Sequence, residues 1–372
     1  MKRIAFTGDL AFSRYFKGAY SREDLLDPAV TGFLCDSDYT VANVEGCISD
    51  GTGTAAKPLV HANPPESVDF LRSINANIWA LANNHITDCG KEGLESTLHI
   101  AAANNVQTIG IGLNEEQAAK PVIIENDGAD IGIFAVTYWE TPEATADSEG
   151  CIRWNNNEKV KQIIADIKKT CRWCVVVVHC GDEFAQLPMP YIRDQYHNYL
   201  QWGADVVVGH HPHIVENYET VGDKVIFYSL GNFIFDTDYQ RLQKYTEFGM
   251  LVKLNFGADS FTWDHMATFI DRENHRILPG KDPDIFTDVS PKQYKLLWPL
   301  AAKNLIDNEM VKYPYLFPKM RDYNKKEWKN WWNQRFVNSP VGKAEKRGKR
   351  LYRLHWWRFG DTKLVRYIKN AR

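Results

Sequence analysis

Short apolar segments that end abruptly in polar residues restrict the folds open to this chain more than any other feature. The clearest example runs from Gly203 to Asn217, GADVVVGHHPHIVEN. Asp205 to Val208 predicts a fully buried strand, and the glycine after it allows a sharp turn. Three imidazoles follow within five positions of that glycine: His210, His211 and His213. Because α/β folds place their chemistry at the carboxyl ends of strands, the stretch predicts an α/β protein with a histidine site there.

The same pattern recurs earlier and later in the chain. Predicted strands cover Ile4 to Thr7, Asp38 to Asn43, Ile78 to Ala82, Val175 to Val178 and Val225 to Ser229. The polar residues that follow them include Asp9, Asn43, Glu45, Asn84, His85, Asp88, His179, Glu183 and Asn232. Any one of these clusters is an ordinary turn, since turns are rich in such residues. Their recurrence at strand ends indicates a two-metal hydrolase site.

The residue types at these strand ends also restrict the metal. Carboxylate, amide and imidazole groups suit Mn²⁺, Fe²⁺ or Zn²⁺. No cysteine is among them, which disfavours a structural zinc site. His85 can act as a general acid instead of a ligand, and Asp88 can fix its tautomer. By contrast, His197 falls on a predicted helix, Pro190 to Trp202, and is expected at a solvated surface position.

Six motifs in order give a specific resemblance. They are Gly8-Asp9, Asn43-x-Glu45, Asn83-Asn84-His85-x-x-Asp88-x-Gly90, His179-x-Gly181-x-Glu183, Gly209-His-His-Pro-His213 and Ser229-Leu-Gly-Asn-Phe233. Together they resemble the bacterial capsule-synthesis CapA family, which is linked to poly-γ-glutamate capsule production and belongs to the calcineurin-like metallophosphoesterases. The resemblance covers roughly residues 2 to 240.

The resemblance implies a four-layer α/β/β/α sandwich, in which two sheets are flanked by helices. It implies two divalent ions, Mn, Fe or Zn. The implied ligands are Asp9, Glu45, Asn84, His179, His211 and His213, with His85 as catalytic acid and Asp88 beside it. His210 and His211 stay alternatives for one ligand position. Asn43, Glu183 and Asn232 are expected to position substrate or metal ligands.

The predicted activity is metal-assisted hydrolysis of a phosphoester, or of a related amide bond, in capsule or cell-surface polymer biosynthesis. The expected substrate is an anionic polymer or a phosphoester. The alternative is a non-catalytic metal-binding subunit, or a scaffold of a polymer synthase or export complex. Turnover with added Mn²⁺ separates these two hypotheses.

We expect three segments. Residues 1–255 form the metallophosphatase domain, 256–318 hold trailing strands and a helical segment, and 319–372 form a basic, Trp-rich tail. Seven cysteines at irregular spacing favour a reducing compartment. No signal peptide or run of roughly 18 apolar residues is present, which predicts a protein in the cytoplasm or at the inner face of the membrane.

The tail differs sharply in charge from the remainder of the chain. From Lys319 to Arg372 there are 17 Lys plus Arg against 4 Asp plus Glu, a local charge of +13, which leaves −16 elsewhere. Tryptophan and arginine together suit an anionic membrane surface, which we take as the hypothesis. Two alternatives remain open. The tail binds a polyanion, with nucleic acid not favoured, or it packs its tryptophans on the acidic body.

Overall fold

The computed structural model describes residues 1–50, 60–138 and 141–297. The chain divides into a unit of residues 1–292 and a unit of residues 293–372. Nearly all of the described residues belong to the first unit. The basic tail of residues 319–372 and the helix expected between Tyr294 and Asp307 lie mostly or wholly outside the described residues.

The strands follow one another closely along the first unit. In chain order they are β1 (Lys2–Leu10), β2 (Tyr39–Val44), β3 (Cys47–Ile48), β4 (Ala62–Asn63), β5 (Ile78–Ala80), β6 (Gln107–Ile109), β7 (Ile111–Gly112), β8 (Val122–Ile124), β9 (Ile131–Thr137), β10 (Gly150–Cys151), β11 (Trp173–His179), β12 (Val206–His210), β13 (Tyr218–Val221), β14 (Lys224–Phe227), β15 (Asn232–Ile234), β16 (Phe248–Phe256), β17 (Phe261–Asp271) and β18 (Arg276–Pro279).

Helices connect and cover these strands. They are α1 (Pro28–Cys35), α2 (Ser67–Ser73), α3 (Gly90–Ala103), α4 (Glu115–Ala119), α5 (Asn157–Thr170), α6 (Pro190–Trp202) and α7 (Asp238–Arg241). Asp27 caps α1, with Pro28 in its first turn, and Asn156 caps α5 through the Lys159 amide. In the part of the chain that the structure describes, no helix is long and apolar enough to cross a bilayer.

Two large sheets form the centre of the first unit. Among the described residues, the first sheet has the order β18-β17-β16-β1-β2-β5-β6, with β15 also pairing with β1. Its β15, β1, β2, β5 and β6 are parallel, and β16 to β18 add antiparallel strands at one side. The second sheet has the order β13-β14-β12-β11-β9-β8, with β14, β12, β11 and β9 parallel.

Side-chain alternation along β11 and β12 shows how the layers are stacked. Val175, Val177 and Val208 join the core cluster that also contains Ile4 and Phe6 of the first sheet. Val176 and Val178 are equally buried but stand outside that cluster, so they lie on the opposite face of the strand.

Helices α5 and α6 contact β11 and β12, while α1 and α3 contact strands of the first sheet. The order is therefore helices, sheet, sheet, helices, and the predicted four-layer α/β/β/α sandwich is confirmed.

Strands β17 and β18 extend the first sheet beyond residue 255. The division at residues 255 and 318 stays a prediction.

Candidate functional site

The candidate site lies where parallel strands of both sheets end. In the first sheet, Asp9 of β1 stands in register with Asn43 of β2 on one side and Asn232 of β15 on the other. In the second sheet, His179 of β11 stands in register with His210 of β12. Strand pairing therefore brings residues that are far apart in sequence to two adjacent sheet ends, as the sequence pattern predicts.

Asp9, Glu45 and His213 form the tightest group of potential ligands. One ligand atom from each lies within 4.8 Å of the others, and all three residues are buried. His213 Nδ1 is 3.1 Å from Asp9 Oδ2, and His213 Nε2 is 3.9 Å from Glu45 Oε1. Two carboxylates and an imidazole in this arrangement can hold one borderline divalent ion.

The surroundings of the Glu45 carboxylate show whether a metal fits the site. Both of its carboxylate oxygens are buried, and neither has a hydrogen-bond partner among the described residues. A buried carboxylate without donors is costly, and a cation bound between Glu45 and its neighbours removes that cost. The residues present therefore fit a divalent metal.

The pKa values of this group reflect its burial. Burial, together with the charge of Asp9, raises the pKa of Glu45 to about 7, although His213 opposes the shift. Burial lowers the pKa of His213, but Glu45 and Asp9 outweigh it and raise the value to about 9. Burial raises the pKa of Asp9, yet the hydrogen bond and charge of His213 bring it below its usual value. The charges of these three side chains thus shift one another's pKa values.

His179 and Asn84 make a second pair beside this group. His179 Nε2 lies 3.0 Å from Asn84 Oδ1, and because the amide oxygen only accepts, the ring donates there. His179 Nδ1 is 3.9 Å from Asp9 Oδ1. Burial, followed by the charges of neighbouring histidines, holds the pKa of His179 well below its usual value. A neutral imidazole is the form that binds metal.

The three histidines at the end of β12 and just after it point in different directions. His210 Nε2 donates to the carbonyl oxygen of Thr7 at 2.8 Å, which ties β12 to β1. The ring of His211 instead lies 5.0 Å from that of His179 and 6.0 Å from that of His213. This placement favours His211 over His210 as the ligand.

The backbone of this turn is strained. His211 has a φ of +94° and His213 a φ of +59°. Side chains other than glycine pay about 1–3 kcal/mol for such conformations, which persist where the surrounding structure fixes them. Strain of this kind is common at binding sites, and here it aims two imidazoles at the same region.

His85 lies at the edge of the ligand group and is held by a carboxylate. Its Nδ1 is 2.6 Å from Asp88 Oδ2, and its Nε2 is 3.7 Å from Glu45 Oε1. A carboxylate accepts, so Nδ1 carries a proton and Nε2 faces the ligand group. The His85 side chain is 13% exposed, so it can reach a molecule bound at the surface of the site.

The three residues expected to position substrate or ligands have different surroundings. Asn43 donates to Asp9 Oδ1 at 2.7 Å. Asn232 offers its Oδ1 to His213 Nδ1 at 3.0 Å, while its amide nitrogen donates to Thr246 O and to Gln240 Oε1. Glu183 is half-buried, and its charge raises the pKa of both Glu45 and His213. Asn43 and Asn232 thus hold candidate ligands in place.

Two buried amides hold the site loops although no role was predicted for them. Asn83 Oδ1 accepts from the backbone amides of Gly46 and His85, at 3.0 Å and 3.1 Å. Asn63 Nδ2 donates to the carbonyl oxygen of Glu45 at 3.0 Å. The sequence signal for Asn83 is its place in the Asn-Asn-His motif, and for Asn63 it is the Asn-Pro-Pro that ends a short strand.

His61 also belongs to this region, and its position was not predicted. Its ring centroid lies 4.4 Å from that of His85, and it is almost fully buried.

His197, on α6, differs from expectation as well. Its side chain is half-buried, and its Nε2 lies 2.9 Å from Glu219 Oε2. His197 is therefore paired and not solvated.

Comparison with known families supplies the identification. Residues 3–237 match the family described as "Bacterial capsule synthesis protein PGA_cap". That match covers more than half of the chain and all of the site residues above. The chain belongs to this family.

Curated relatives agree with the family assignment. The "PGA biosynthesis protein CapA" of Bacillus subtilis (strain 168) is 31% identical over 248 residues, 64% of each chain. The "Capsule biosynthesis protein CapA" of Bacillus anthracis is 28% identical over 249 residues, 64% of this chain and 61% of its own. A "Probable polyglutamine synthesis accessory protein" of Mycobacterium tuberculosis is 27% identical over 54% of this chain and 56% of its own. The chain thus spans less than two thirds of the length of these relatives.

Solved structures are more distant. A putative 5'-nucleotidase from Staphylococcus aureus aligns with a TM-score of 0.45 and 14% identity, over 82% of this chain and 58% of its own. The NAD nucleotidase of Haemophilus influenzae aligns with a TM-score of 0.41 and 11% identity, over 83% of this chain and 60% of its own.

Proposed function

We propose that this protein is a metal-dependent hydrolase of the phosphoester type that acts in capsule or cell-surface polymer biosynthesis. The observation that carries the proposal is the buried group of Asp9, Glu45 and His213, with the His85–Asp88 pair directly beside it. A cluster of metal ligands without such a pair is equally consistent with a protein that only binds metal. In His85, Nδ1 is fixed by a carboxylate and Nε2 faces the ligand group. This arrangement is typical of a general acid.

The metal-binding part of the proposal assigns six residues to two ions, Mn, Fe or Zn. They are Asp9, Glu45, Asn84, His179, His211 and His213. The chemistry that such ions supply when bound is activation of a water molecule and neutralisation of charge on phosphoryl oxygens. Asn43 and Asn232 orient the ligands Asp9 and His213, as their hydrogen bonds indicate.

The chain's own groups supply the proton. Asp88 Oδ2 accepts from His85 Nδ1 at 2.6 Å, which fixes the ring and directs Nε2 toward the ligand group. His85 in its protonated form then gives its Nε2 proton to the ester oxygen that leaves phosphorus or, for an amide, to the nitrogen that leaves the carbonyl carbon. Glu183 and His210 stay further candidates for contact with substrate or metal, because both lie next to the ligand group.

The substrate and setting follow from the relatives. Their names refer to capsule, PGA and polyglutamine synthesis. We infer an anionic polymer, or a phosphoester formed during its synthesis, as substrate. An amide of such a polymer is the related alternative. We propose a location in the cytoplasm or at the inner face of the membrane, with the basic tail on anionic lipid. The tail lies outside the described residues.

A second candidate function is a non-catalytic metal-binding subunit. The name "accessory protein" of the mycobacterial relative favours it. In that case the metal group grips an anionic polymer or organises a synthase complex, and no bond is cleaved. Both candidates require the metal site, and they differ only in turnover.

Hydrolysis of phosphomonoesters by the Mn²⁺-loaded full chain tests the proposal. We expect turnover that requires metal and falls at least 100-fold in His85→Ala with metal content unchanged. His99→Ala, on the exposed face of α3, is the matched control and should behave like wild type. If the wild type binds metal but hydrolyses neither phosphoester nor polyglutamate substrates, the accessory role is supported instead.

A further inference from the structure

The segment that contains His61 packs against His85, the candidate general acid. Strand β4 pairs with β3, and this pairing brings His61 against the loop that follows Glu45. Gly46 has a φ of +87°, and a Cβ there would lie 2.1 Å from the carbonyl oxygen of His61. Only glycine permits so close an approach. His61 is thereby fixed beside the site by its backbone as well as its ring.

The backbone of His61 bonds to the carboxylate that holds His85. His61 N–H donates to Asp88 Oδ2 at 3.0 Å, the same oxygen that accepts from His85 Nδ1 at 2.6 Å. One carboxylate oxygen thus joins the two histidines. This bond uses the main chain, so it survives substitution of the His61 side chain.

The ring of His61 is confined on several sides. It stands perpendicular to the His85 ring at a centroid distance of 4.4 Å. Phe235 lies 5.0 Å away, and the same phenylalanine stacks on His213 at 4.6 Å. Ser13 Oγ lies 2.7 Å from His61 Nδ1. A ring held in this way is a rigid wall against which His85 packs.

We propose that His61 is a positioning residue that fixes the direction of His85 Nε2 toward the leaving oxygen. The inference rests on the proposed function, in which His85 is the general acid. His61 itself transfers no proton. Its effect depends on the leaving group, because an acid matters most when the departing oxygen is strongly basic.

This dependence predicts a selective loss. With the His61 ring removed, His85 is free to turn about its Asp88 bond, and a misplacement of about 1 Å can cost roughly 100-fold. We expect His61→Ala to lower kcat about 10- to 100-fold with glycerol phosphate, whose alkoxide is a poor leaving group. With p-nitrophenyl phosphate the loss should be about 3-fold or less, because that phenolate leaves without protonation. KM should change little for either ester.

Variants separate positioning from stability. His61→Phe keeps an aromatic wall and should restore most of the activity with glycerol phosphate. Ser13→Ala removes only the side-chain bond to His61, which His61→Phe also lacks, and should give a small, equally selective loss like that of His61→Phe. Ser13→Ala carries the test if His61→Ala does not fold. His99→Ala on α3 is the control, and metal content is measured for every protein.

A second readout needs neither metal nor turnover. In the metal-free full chain, the short His85–Asp88 bond should give a downfield Nδ1 proton in NMR spectra, identified by its absence in His85→Ala. We expect His61→Phe to keep this signal and His61→Ala to broaden or lose it.

Equal losses with both esters, or an unchanged NMR signal in His61→Ala, would overturn the role of His61. Absence of any wild-type turnover would instead refute the proposed function, and the NMR comparison would then show whether the His61 ring fixes the His85 ring.

Discussion

Asn43 and Asp9 stand side by side at the ends of two parallel strands, and the Asn43 side chain donates to Asp9 Oδ1 at 2.7 Å. This bond occupies one carboxylate oxygen. The other, Oδ2, is then directed to His213 Nδ1 at 3.1 Å. The register of β1 and β2 thus places the Asn43 amide where it fixes the orientation of the Asp9 carboxylate.

Replacing Asn43 with alanine tests that arrangement. Asp9 would lose the partner that orients it, and residues in this role typically affect metal affinity by about 10- to 100-fold. We expect Mn²⁺ titration by calorimetry to show a Kd that is about 10- to 100-fold higher for Asn43→Ala. The thermal unfolding curve should change little. An affinity equal to that of His99→Ala would show that Asn43 has no such role.

The two histidines left open by the sequence should behave differently. His210 bonds to Thr7 O, whereas His211 lies against the ring of His179. We expect His211→Ala to bind less metal per chain, while His210→Ala keeps the wild-type stoichiometry with a lower stability. Elemental analysis of both variants after the same Mn²⁺ loading checks this, and the opposite outcome would make His210 the ligand.

Gly8 keeps β1 and β15 in contact beside Asp9. A Cβ at Gly8 would lie 2.3 Å from the carbonyl oxygen of Gly231, a clash with rigid backbone. Overpacking of this kind costs about 1–3 kcal/mol, so Gly8→Ala should lower the free energy of unfolding by that amount in urea titration. Gly32→Ala in α1, where a Cβ meets nothing within 4 Å, should leave stability unchanged or raise it. Similar results for the two variants would contradict the packing described here.

Glu219 gives a prediction about pH. Burial raises its pKa, but His197 and Arg193 outweigh burial and lower it below the usual value. A lowered folded-state pKa means that the stabilisation is present above the unfolded-state pKa of about 4.3. It is lost as the pH falls through the folded-state value.

We therefore expect Glu219→Gln to reduce stability by about 1–3 kcal/mol at pH 7, since Arg193 and His197 lose a charged partner. The difference from wild type should shrink below about pH 4. Glu95→Gln, which alters an exposed pair with Lys91, is the control and should show no such pH-dependent difference. Urea titrations across the pH range measure both, and a difference that grows toward acid pH would contradict the assignment.

Much of the site could be predicted because it lies at the ends of strongly apolar strands. The four valines from Val175 to Val178 and the run Val206 to Val208 form β11 and β12, and their parallel pairing brings His179 beside His210. Helix α6 has the predicted bounds, Pro190–Trp202, since Pro190 begins it and Gly203 follows its end.

The remaining contacts depend on tertiary pairing that no local pattern reveals. Nothing in the sequence near His61 indicates that β4 pairs with β3 and places its ring on His85. His197 was wrongly expected to be solvated because Glu219, its partner, lies 22 residues later on β13. The choice between His210 and His211 likewise depended on Thr7, whose carbonyl oxygen is reached from another sheet.

Metal stoichiometry decides whether the residues at the strand ends form a site for two metal ions. The full chain, purified without chelator and loaded with Mn²⁺, is passed through a desalting column and analysed for metal and protein. We expect two equivalents of metal per chain for the wild type and a clear loss for His213→Ala, with His99→Ala at the wild-type level. No bound metal under any loading condition with Mn²⁺, Fe²⁺ or Zn²⁺, or the same content in His213→Ala as in wild type, would contradict it.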